Sequence, residues 1–315
     1  MKTEARRALR STETATGSAF MVTLAHLSDV HLAPLPHVPW TALMNKRITG
    51  YLNWVINRRG HMHSDTVSAL VEDLRPRNPD LVAVSGDLVN LALRAEIERS
   101  AEWLKTIGPA EQVAVIPGNH DAYVPGAVKK CRKAWGEYGT GVTLDDASYP
   151  FVRRAGPLAL IGCSSAIATP PFFAKGRFGR SQAQRLERML TALGEEGTFR
   201  TVMIHHPPQP EATSPRLGLD GAERFRDVIA RAGAELILHG HLHQSIVTAI
   251  PGPSSEVPVI GVAAASTAPE TGHPPARYNF FEIEKLETGF SCVMHEYGFE
   301  AMGESVVHRL ELRLH

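Results

Sequence analysis

The stretch Val22-Thr23-Leu24-Ala25-His26-Leu27-Ser28-Asp29-Val30-His31 changes character at Ser28, and that change decides the fold. Val22–Leu27 is apolar and β-branched, as a buried strand is. Asp29 and His31 follow at once, so two metal-competent side chains stand at a strand end. The same grammar recurs four times. Gly86-Asp87 follows Leu81–Ser85. Gly118-Asn119-His120-Asp121 follows Gln112–Ile116 and Pro117. His205-His206 follows Thr201–Ile204, and Gly240-His241-Leu242-His243 follows Leu236–Leu238. Leu158–Ile161 is a further strand without such a motif.

Helical stretches separate these strands: Ser64–Arg75, Arg94–Thr106, Gly126–Tyr138, Ser181–Leu193 and Ala222–Ala232. In the fourth, Ser181 reads as the N-cap and Gly194 as the stop. Strand–helix alternation predicts an α/β sheet with helices on its faces. Beyond Gly240 the pattern becomes all-β, with strands expected at Ser245–Ile250, Val257–Val262, Tyr278–Ile283, Gly289–His295 and Ser305–Leu314. These are expected to form a second sheet packed on the first, giving a two-sheet sandwich with helices outside. The motifs draw one site from most of the chain, so residues 21–315 are expected to be a single domain, after a flexible tail at residues 1–20.

Pro34–Gly60 is too long for an ordinary strand–helix connection, and loops of that length are often functional. It carries Trp40, Met44, Ile48, Leu52, Trp54 and Ile56 beside Lys46, Arg47, Arg58 and Arg59. Two readings stand. It is a helical insert whose apolar face packs on the domain, or residues 40–59 also touch a lipid or a membrane surface.

The 33 basic and 33 acidic residues cancel, so nothing marks a dedicated nucleic-acid binder. Three scattered cysteines, Cys131, Cys163 and Cys292, do not build a disulfide framework. No apolar run reaches the ~20 residues that span a bilayer, and the polar first twenty residues are not a secretory signal. These features point to a cytoplasmic protein, peripheral to a membrane if the insert binds one.

The motif residues suit phosphoester hydrolysis. Two cations roughly 3.5–4 Å apart lower the pKa of a bound water, offset phosphoryl charge and orient in-line attack. Holding them that close needs one shared anionic ligand and further nitrogen and oxygen ligands on each. Asp29 and His31 are two residues apart, and on extended chain they point the same way. Asp87, on a tight turn after Gly86, is the expected shared carboxylate. Asn119 offers a neutral carbonyl oxygen, and His205, His241 and His243 complete the inventory.

The ordered set Asp29-x-His31, Gly86-Asp87, Gly118-Asn119-His120-Asp121, His205-His206-Pro207-Pro208 and Gly240-His241-x-His243 resembles the calcineurin-like metallophosphoesterase superfamily, over Met21 to His243. The resemblance implies a four-layer α/β/β/α sandwich of two mixed sheets flanked by helices. It implies one metal on Asp29, His31, Asp87 and His243, and a second on Asp87, Asn119, His205 and His241. The ions would be manganese, iron or zinc. Of the adjacent pair, it favours His205 as ligand and leaves His206 a supporting role; His239 reads as structural. It places His120 beside the metals, protonating the leaving oxygen or stabilising phosphoryl charge. Asp121 either orients that imidazole or caps the loop. Dimers are common among relatives.

The sequence lacks the Asp-Arg-Gly that protein phosphatases of the superfamily carry shortly after the position of Asp87, and has Asp121 where they have Glu. Leu27-Ser28-Asp29-Val30-His31-Leu32 and His205-His206-Pro207-Pro208 are more similar to the cyclic-nucleotide phosphodiesterase-like branch. The expected reaction is therefore phosphodiester hydrolysis of a small or nucleotide-type substrate. An alternative is hydrolysis of a lipid-linked pyrophosphate such as UDP-2,3-diacylglucosamine, with the 34–60 insert forming an apolar channel. A third reading is a non-catalytic interaction scaffold, disfavoured because no expected ligand is missing.

Overall fold

The alternating runs fold as strands and helices close to the expected positions. The computed structural model of this chain describes residues 20–58, 64–269, 272, 274–301 and 304–315. Residues 1–19 of the tail expected at 1–20, and Arg59 and Gly60 of the insert, lie outside the described residues, and residue 20 opens the first strand. The first sheet is built on β1 (Phe20–Leu27), β2 (Leu81–Val84) and β3 (Val113–Val115), which run parallel with Leu24 opposite Leu81 and Val82 opposite Val113. The second is built on β5 (Leu158–Gly162), β7 (Phe199–Met203) and β9 (Leu236–His239), also parallel. The β6 (Gly176–Arg177) and β8 (Leu219–Asp220) pair forms a small separate ladder.

The later strands do not form a sheet of their own, which corrects the sequence expectation. β12 (Arg277–Lys285) pairs antiparallel with β1, setting Val22 opposite Ile283, and β13 (Phe290–Gly298) and β14 (Val307–Arg313) extend that edge. β10 (Ile246–Pro251) and β11 (Glu256–Gly261) join the second sheet through β9. Strand periodicity identifies a strand but not its neighbour; the free edges of β1 and β9 decide where each one adds. The six-strand orders are β14-β13-β12-β1-β2-β3 and, with β4 at Phe151–Ala155, β10-β11-β9-β7-β5-β4. β4 was not expected, because Arg153 and Arg154 break its apolar pattern. It is an edge strand whose arginine heads reach Thr140 and Glu196, while Phe151 is buried between the sheets and Val152 on the helix-covered face.

Three apolar layers hold the sandwich together. Leu24, Leu81, Ile116, Leu160, Phe199 and Phe281 fill the space between the sheets. On the outer face of the first sheet pack α2 (Ser64–Leu74), α3 (Arg94–Ile107) and α4 (Ala127–Trp135), burying Leu70, Ile97, Leu104 and Trp135. On the second pack α5 (Arg180–Glu195) and α6 (Ala222–Ala232), burying Leu186, Met189, Phe225 and Ile229. The layers are α/β/β/α, the architecture of the metallophosphoesterase fold. α5 begins one residue before Ser181, on Gly179 with no side-chain cap, and runs past Gly194 to Glu195. Gly194 instead makes room for the Arg200 guanidinium, which a Cβ there would meet at 2.6 Å, and Gly197 supplies the left-handed turn.

The insert holds a 3₁₀ turn at Trp40–Leu43, α1 (Arg47–Asn53) and a π turn at Trp54–Arg58. Arg47 docks it by donating to the carbonyls of Leu91 and Ala92, each at 2.8 Å. Its apolar face is only partly covered. Tyr51 packs on the core, whereas Trp40, Met44 and Ile56 are about three-quarters exposed, at 74%, 75% and 75%.

Phe281→Ala should lower the unfolding free energy by about 3–5 kcal/mol through the cavity it leaves between the sheets. The midpoint of urea denaturation measures it, with the slope unchanged.

Candidate metal centre

Parallel strands bring the five motifs to one edge of the sandwich. Asp29, Asp87 and Asn119 follow the C-terminal ends of β1, β2 and β3, and His205, His241 and His243 follow β7 and β9. This is where open α/β sheets present their ligands. Asp29 and His31 are not on extended chain, contrary to expectation: both adopt left-handed backbone, at φ 53° and 40°. Asp87, His241 and His243 do the same, so five of the nine non-glycine residues with positive φ among the described residues belong to this cluster. Each such residue costs of order 1–3 kcal/mol. Neighbouring main chain holds them: the amides of Asp29 and His31 donate to the carbonyls of Gly86 and Asp87, at 3.0 and 2.9 Å.

Two groups of donor atoms result. In the first, His243 Nε2 lies 3.2 Å from Asp29 Oδ1 and 3.4 Å from His31 Nε2. In the second, His205 Nε2 lies 3.1 Å from Asn119 Oδ1 and 3.4 Å from Asp87 Oδ2, and His241 Nδ1 lies 2.8 Å from the same Asn119 oxygen. Asp87 Oδ2 also faces His31 Nε2 at 3.9 Å, so one carboxylate oxygen looks into both groups. Two atoms that ligate one ion at about 2.1 Å stand roughly 3.0–3.4 Å apart. Four of the spacings, from 3.1 to 3.4 Å, match that range, while the 2.8 Å and 3.9 Å pairs lie to either side of it. Asp29 Oδ1 is buried and makes no directed hydrogen bond, as an oxygen reserved for a cation would. The donor set therefore fits two divalent cations.

The histidine tautomers are set from behind. His205 Nδ1 donates to the Ser85 carbonyl (2.8 Å), His31 Nδ1 to Val89 (3.2 Å) and His241 Nε2 to Leu217 (3.0 Å). Each turns its other nitrogen toward the cluster. His206 differs: its Nδ1 accepts from Ser165 (2.7 Å) and its Nε2 donates to Ala174 (3.1 Å), so both nitrogens are used by the protein. Burial, then His241 and His205, hold its pKa far below the ordinary imidazole value. His239 is buried, bonded to Gly240 and Gln209, and lowered to about 4, mainly by burial.

The carboxyls carry opposed influences. Burial would raise Asp29 and Asp87, but His243 outweighs it at Asp29 and His205 with His120 at Asp87, so both stay well below the usual carboxylate range. His205 answers in kind: burial would lower it, and Asp87 and Asp29 raise it to about 9.

His120 sits beside the donors. Its Nδ1 donates to the Asn90 carbonyl at 2.6 Å, its amide to Asp87 Oδ1 at 2.7 Å, and its ring stacks near Tyr123. One of its ring nitrogens falls within 4.8 Å of ligand atoms of His31 and Asp87. Asp121 faces main-chain amides rather than that imidazole. It accepts from Asp87 and Gly118, both at 2.8 Å, from Leu88 at 3.1 Å and from Val89 at 3.3 Å. Burial and Asp87 push its carboxyl up to about 8, against those donors.

Three supports lie outside the donor motifs. Asn90 aims His120. Glu96, buried at the start of α3, accepts from the amides of Asn90, Leu91 and Leu93, at 2.8, 3.1 and 2.9 Å, and so fixes the loop after Asp87. An acid at the third position of a helix was its signal. Lys46, in the insert, reaches the cleft. That cleft, of 320 Å³, opens beside Asn119 and His120 and is walled by Lys46, Trp54, Tyr123, Phe173 and Leu217.

Residues 22–245 match the family model for calcineurin-like phosphoesterases. The chain belongs to this family. It is a metal-dependent phosphoester hydrolase. A probable cyclic nucleotide phosphodiesterase of Synechococcus sp. is 28% identical over 236 residues, covering 73% of this chain and 77% of that protein. Among solved structures, a dimetal phosphatase from Danio rerio matches with a TM-score of 0.60 at 16% identity, over 91% of this chain and 98% of that one. Purple acid phosphatase from yellow lupin matches at 0.56 and 11% identity, over 93% and 54%. These two establish a shared fold. No helix among the described residues is long and apolar enough to cross a membrane.

Gly240 tests the packing of the centre. A Cβ there would lie 1.9 Å from Ser28 Oγ and 2.5 Å from Asp29 Oδ2. Gly240→Ala should displace Asp29 and lower bound metal, with far-UV circular dichroism unchanged; elemental analysis of the purified protein reads the loss.

Proposed function

We propose that this protein hydrolyses small phosphodiesters, of nucleotide type, at a dinuclear centre. Asp29, His31, Asp87 and His243 would hold one cation, and Asp87, Asn119, His205 and His241 the other. The observation that carries this reading is Asp87 Oδ2, which faces His205 Nε2 at 3.4 Å and His31 Nε2 at 3.9 Å and so is placed to be shared. When bound, the two cations offset phosphoryl charge and lower the pKa of water at phosphorus. Manganese, iron and zinc all suit the donors.

The chain's own residues do the rest. His120, with Nδ1 fixed on the Asn90 carbonyl, presents Nε2 to the leaving oxygen and protonates it. Asp121 and Glu96 hold the loops that carry Asp87 and Asn90, so the donors need not reorganise during the reaction. Lys46 Nζ, 4.6 Å above the Tyr123 ring, offers a cation to a non-reacting phosphate oxygen; burial lowers it to about 8. Trp54, Tyr123 and Phe173 offer flat surfaces for a base. The name of the Synechococcus relative agrees with a cyclic nucleotide as substrate.

Bis(p-nitrophenyl) phosphate tests the reading. Asp87→Ala should abolish its metal-dependent hydrolysis while the protein stays folded. His120→Ala should keep the metals and lose ~10²–10⁴-fold in turnover. A fall in metal content in His120→Ala would make that residue a ligand instead.

One observation favours a second reading, a lipid-linked phosphoester. Ile48, Leu52 and Ile56 of the insert are 50%, 53% and 75% exposed, and Phe172, which lines the cleft, is 79% exposed. Apolar side chains grouped this way suit an acyl chain or the surface that carries it. Leu52→Ser with Ile56→Ser should then slow UDP-2,3-diacylglucosamine hydrolysis in micelles and leave the small diester untouched. Equal loss on both substrates would remove this reading.

A further inference from the structure

A second cluster of ligand atoms lies on the outer edge of the first sheet, on strands that contribute nothing to the centre described above. β13 and β14 pair antiparallel, with His295 opposite Glu311 and Tyr297 opposite His308, around a bulge between Glu296 and Tyr297. His295 Nδ1 stands 3.3 Å from His308 Nε2 and 3.7 Å from Glu311 Oε2, and the three donor atoms lie within 4.8 Å of one another. Glu282, on β12, approaches the other face of the same ring: its Oε2 is 3.7 Å from His295 Nε2. That nitrogen is buried and has no hydrogen-bond partner close enough to count. The His295 side chain is 15% exposed, while Glu311 and Glu282, at 64% and 47%, are free to adjust toward it.

We propose that His295, His308 and Glu311 form a zinc site, separate from the dinuclear centre. Two imidazoles and a carboxylate match the nitrogen and oxygen preferences of that ion. Ligand atoms at about 2.0–2.2 Å from a tetrahedral ion stand roughly 3.3–3.6 Å apart. The 3.3 Å pair already has that spacing, and the exposed Glu311, 3.7 Å from His295 and within 4.8 Å of His308, closes on it by side-chain rotation. Glu282 takes the part of the carboxylate behind a metal-bound histidine, accepting the proton of Nε2 and turning Nδ1 outward. The fourth position faces solvent. Zinc here ties the edge strand β14 to β13 across the bulge, so its binding stabilises the C-terminal strand.

Equilibrium dialysis of the full chain against micromolar Zn²⁺, followed by elemental analysis, tests the site. His308→Ala should carry one equivalent fewer than the unsubstituted chain, with hydrolysis of bis(p-nitrophenyl) phosphate unchanged. Glu311→Gln, a milder change, should weaken zinc retention in the same way. Asp87→Ala should keep this equivalent. Equal zinc in His308→Ala and the unsubstituted chain overturns the site, as does a loss accompanied by falling turnover. If the unsubstituted chain holds a single equivalent that His308→Ala removes, this site stands and the dinuclear reading fails.

Discussion

Asp29 and Asp87 are carboxylates with essentially no solvent exposure, set among imidazoles at the meeting of two sheets. Burying an ionised carboxylate costs several kcal/mol unless opposite charge or donors compensate it. Here the compensation comes from both sheets at once. His243 and His205, which act on Asp29 and Asp87, stand on loops after strands of the second sheet, while both carboxylates follow strands of the first. The electrostatic problem is solved only when the two sheets are stacked in this one relation. The same stacking places Asp87 Oδ2 between two donor groups.

The backbone at this junction is held in conformations it would otherwise avoid. Asp29, His31, Asp87, His241 and His243 all sit at positive φ. Strain of that kind persists only where surrounding contacts over-determine it. Asp121 supplies much of that bracing by accepting four amides from the loops after β2 and β3. A conventional secondary-structure view would call it a loop cap. Its position makes it a bracket, because the loops it joins carry Asp87 on one side and Asn119 and His120 on the other. Gly86 and Gly118 are part of the same bracket: a Cβ on Gly118 would lie 2.2 Å from Asp87 Oδ1, and one on Gly86 would lie 2.6 Å from the Gly118 amide.

This explains which features could be read from the chain alone. The strands and helices were legible because burial imposes a period on each: Val67, Leu70, Val71 and Leu74 repeat on α2, and β2 is apolar throughout, as a central parallel strand should be. The donor motifs were legible because polar residues directly after such strands have no place in a core. Sheet membership was not, since pairing depends on which edges remain free. Nor was the split among the histidines. His26, His31, His205, His206 and His239 are all fully buried, yet of these His31 and His205 turn a nitrogen to the donor cluster and the other three do not. His26 instead bonds Ser85, and burial lowers it to about 3. The difference lies in partners contributed by distant segments, Ser85 for His205 and Ser165 for His206. Nothing local in the chain announces them.

Selectivity is separated from the donors in the same way. Every residue of the donor cluster is anchored just past a strand, where a change would disturb both charge and packing. Beside Asn119, His120 and Tyr123, the cleft is walled by Lys46, Thr49, Trp54, Phe172, Phe173 and Leu217, in connecting segments that supply no donor. The insert touches the site's frame mainly through Arg47 and Lys46, whose partners are backbone carbonyls, one hydroxyl and one ring. Carbonyl contacts of this sort fix the position of a segment without demanding particular side chains opposite it. The wall can therefore present an apolar rim or a polar one while the centre behind it is undisturbed, which is the arrangement expected where a rigid scaffold carries its specificity on loops. A substrate's phosphoryl group would meet the part of the molecule that cannot change, and the rest of the substrate the part that can.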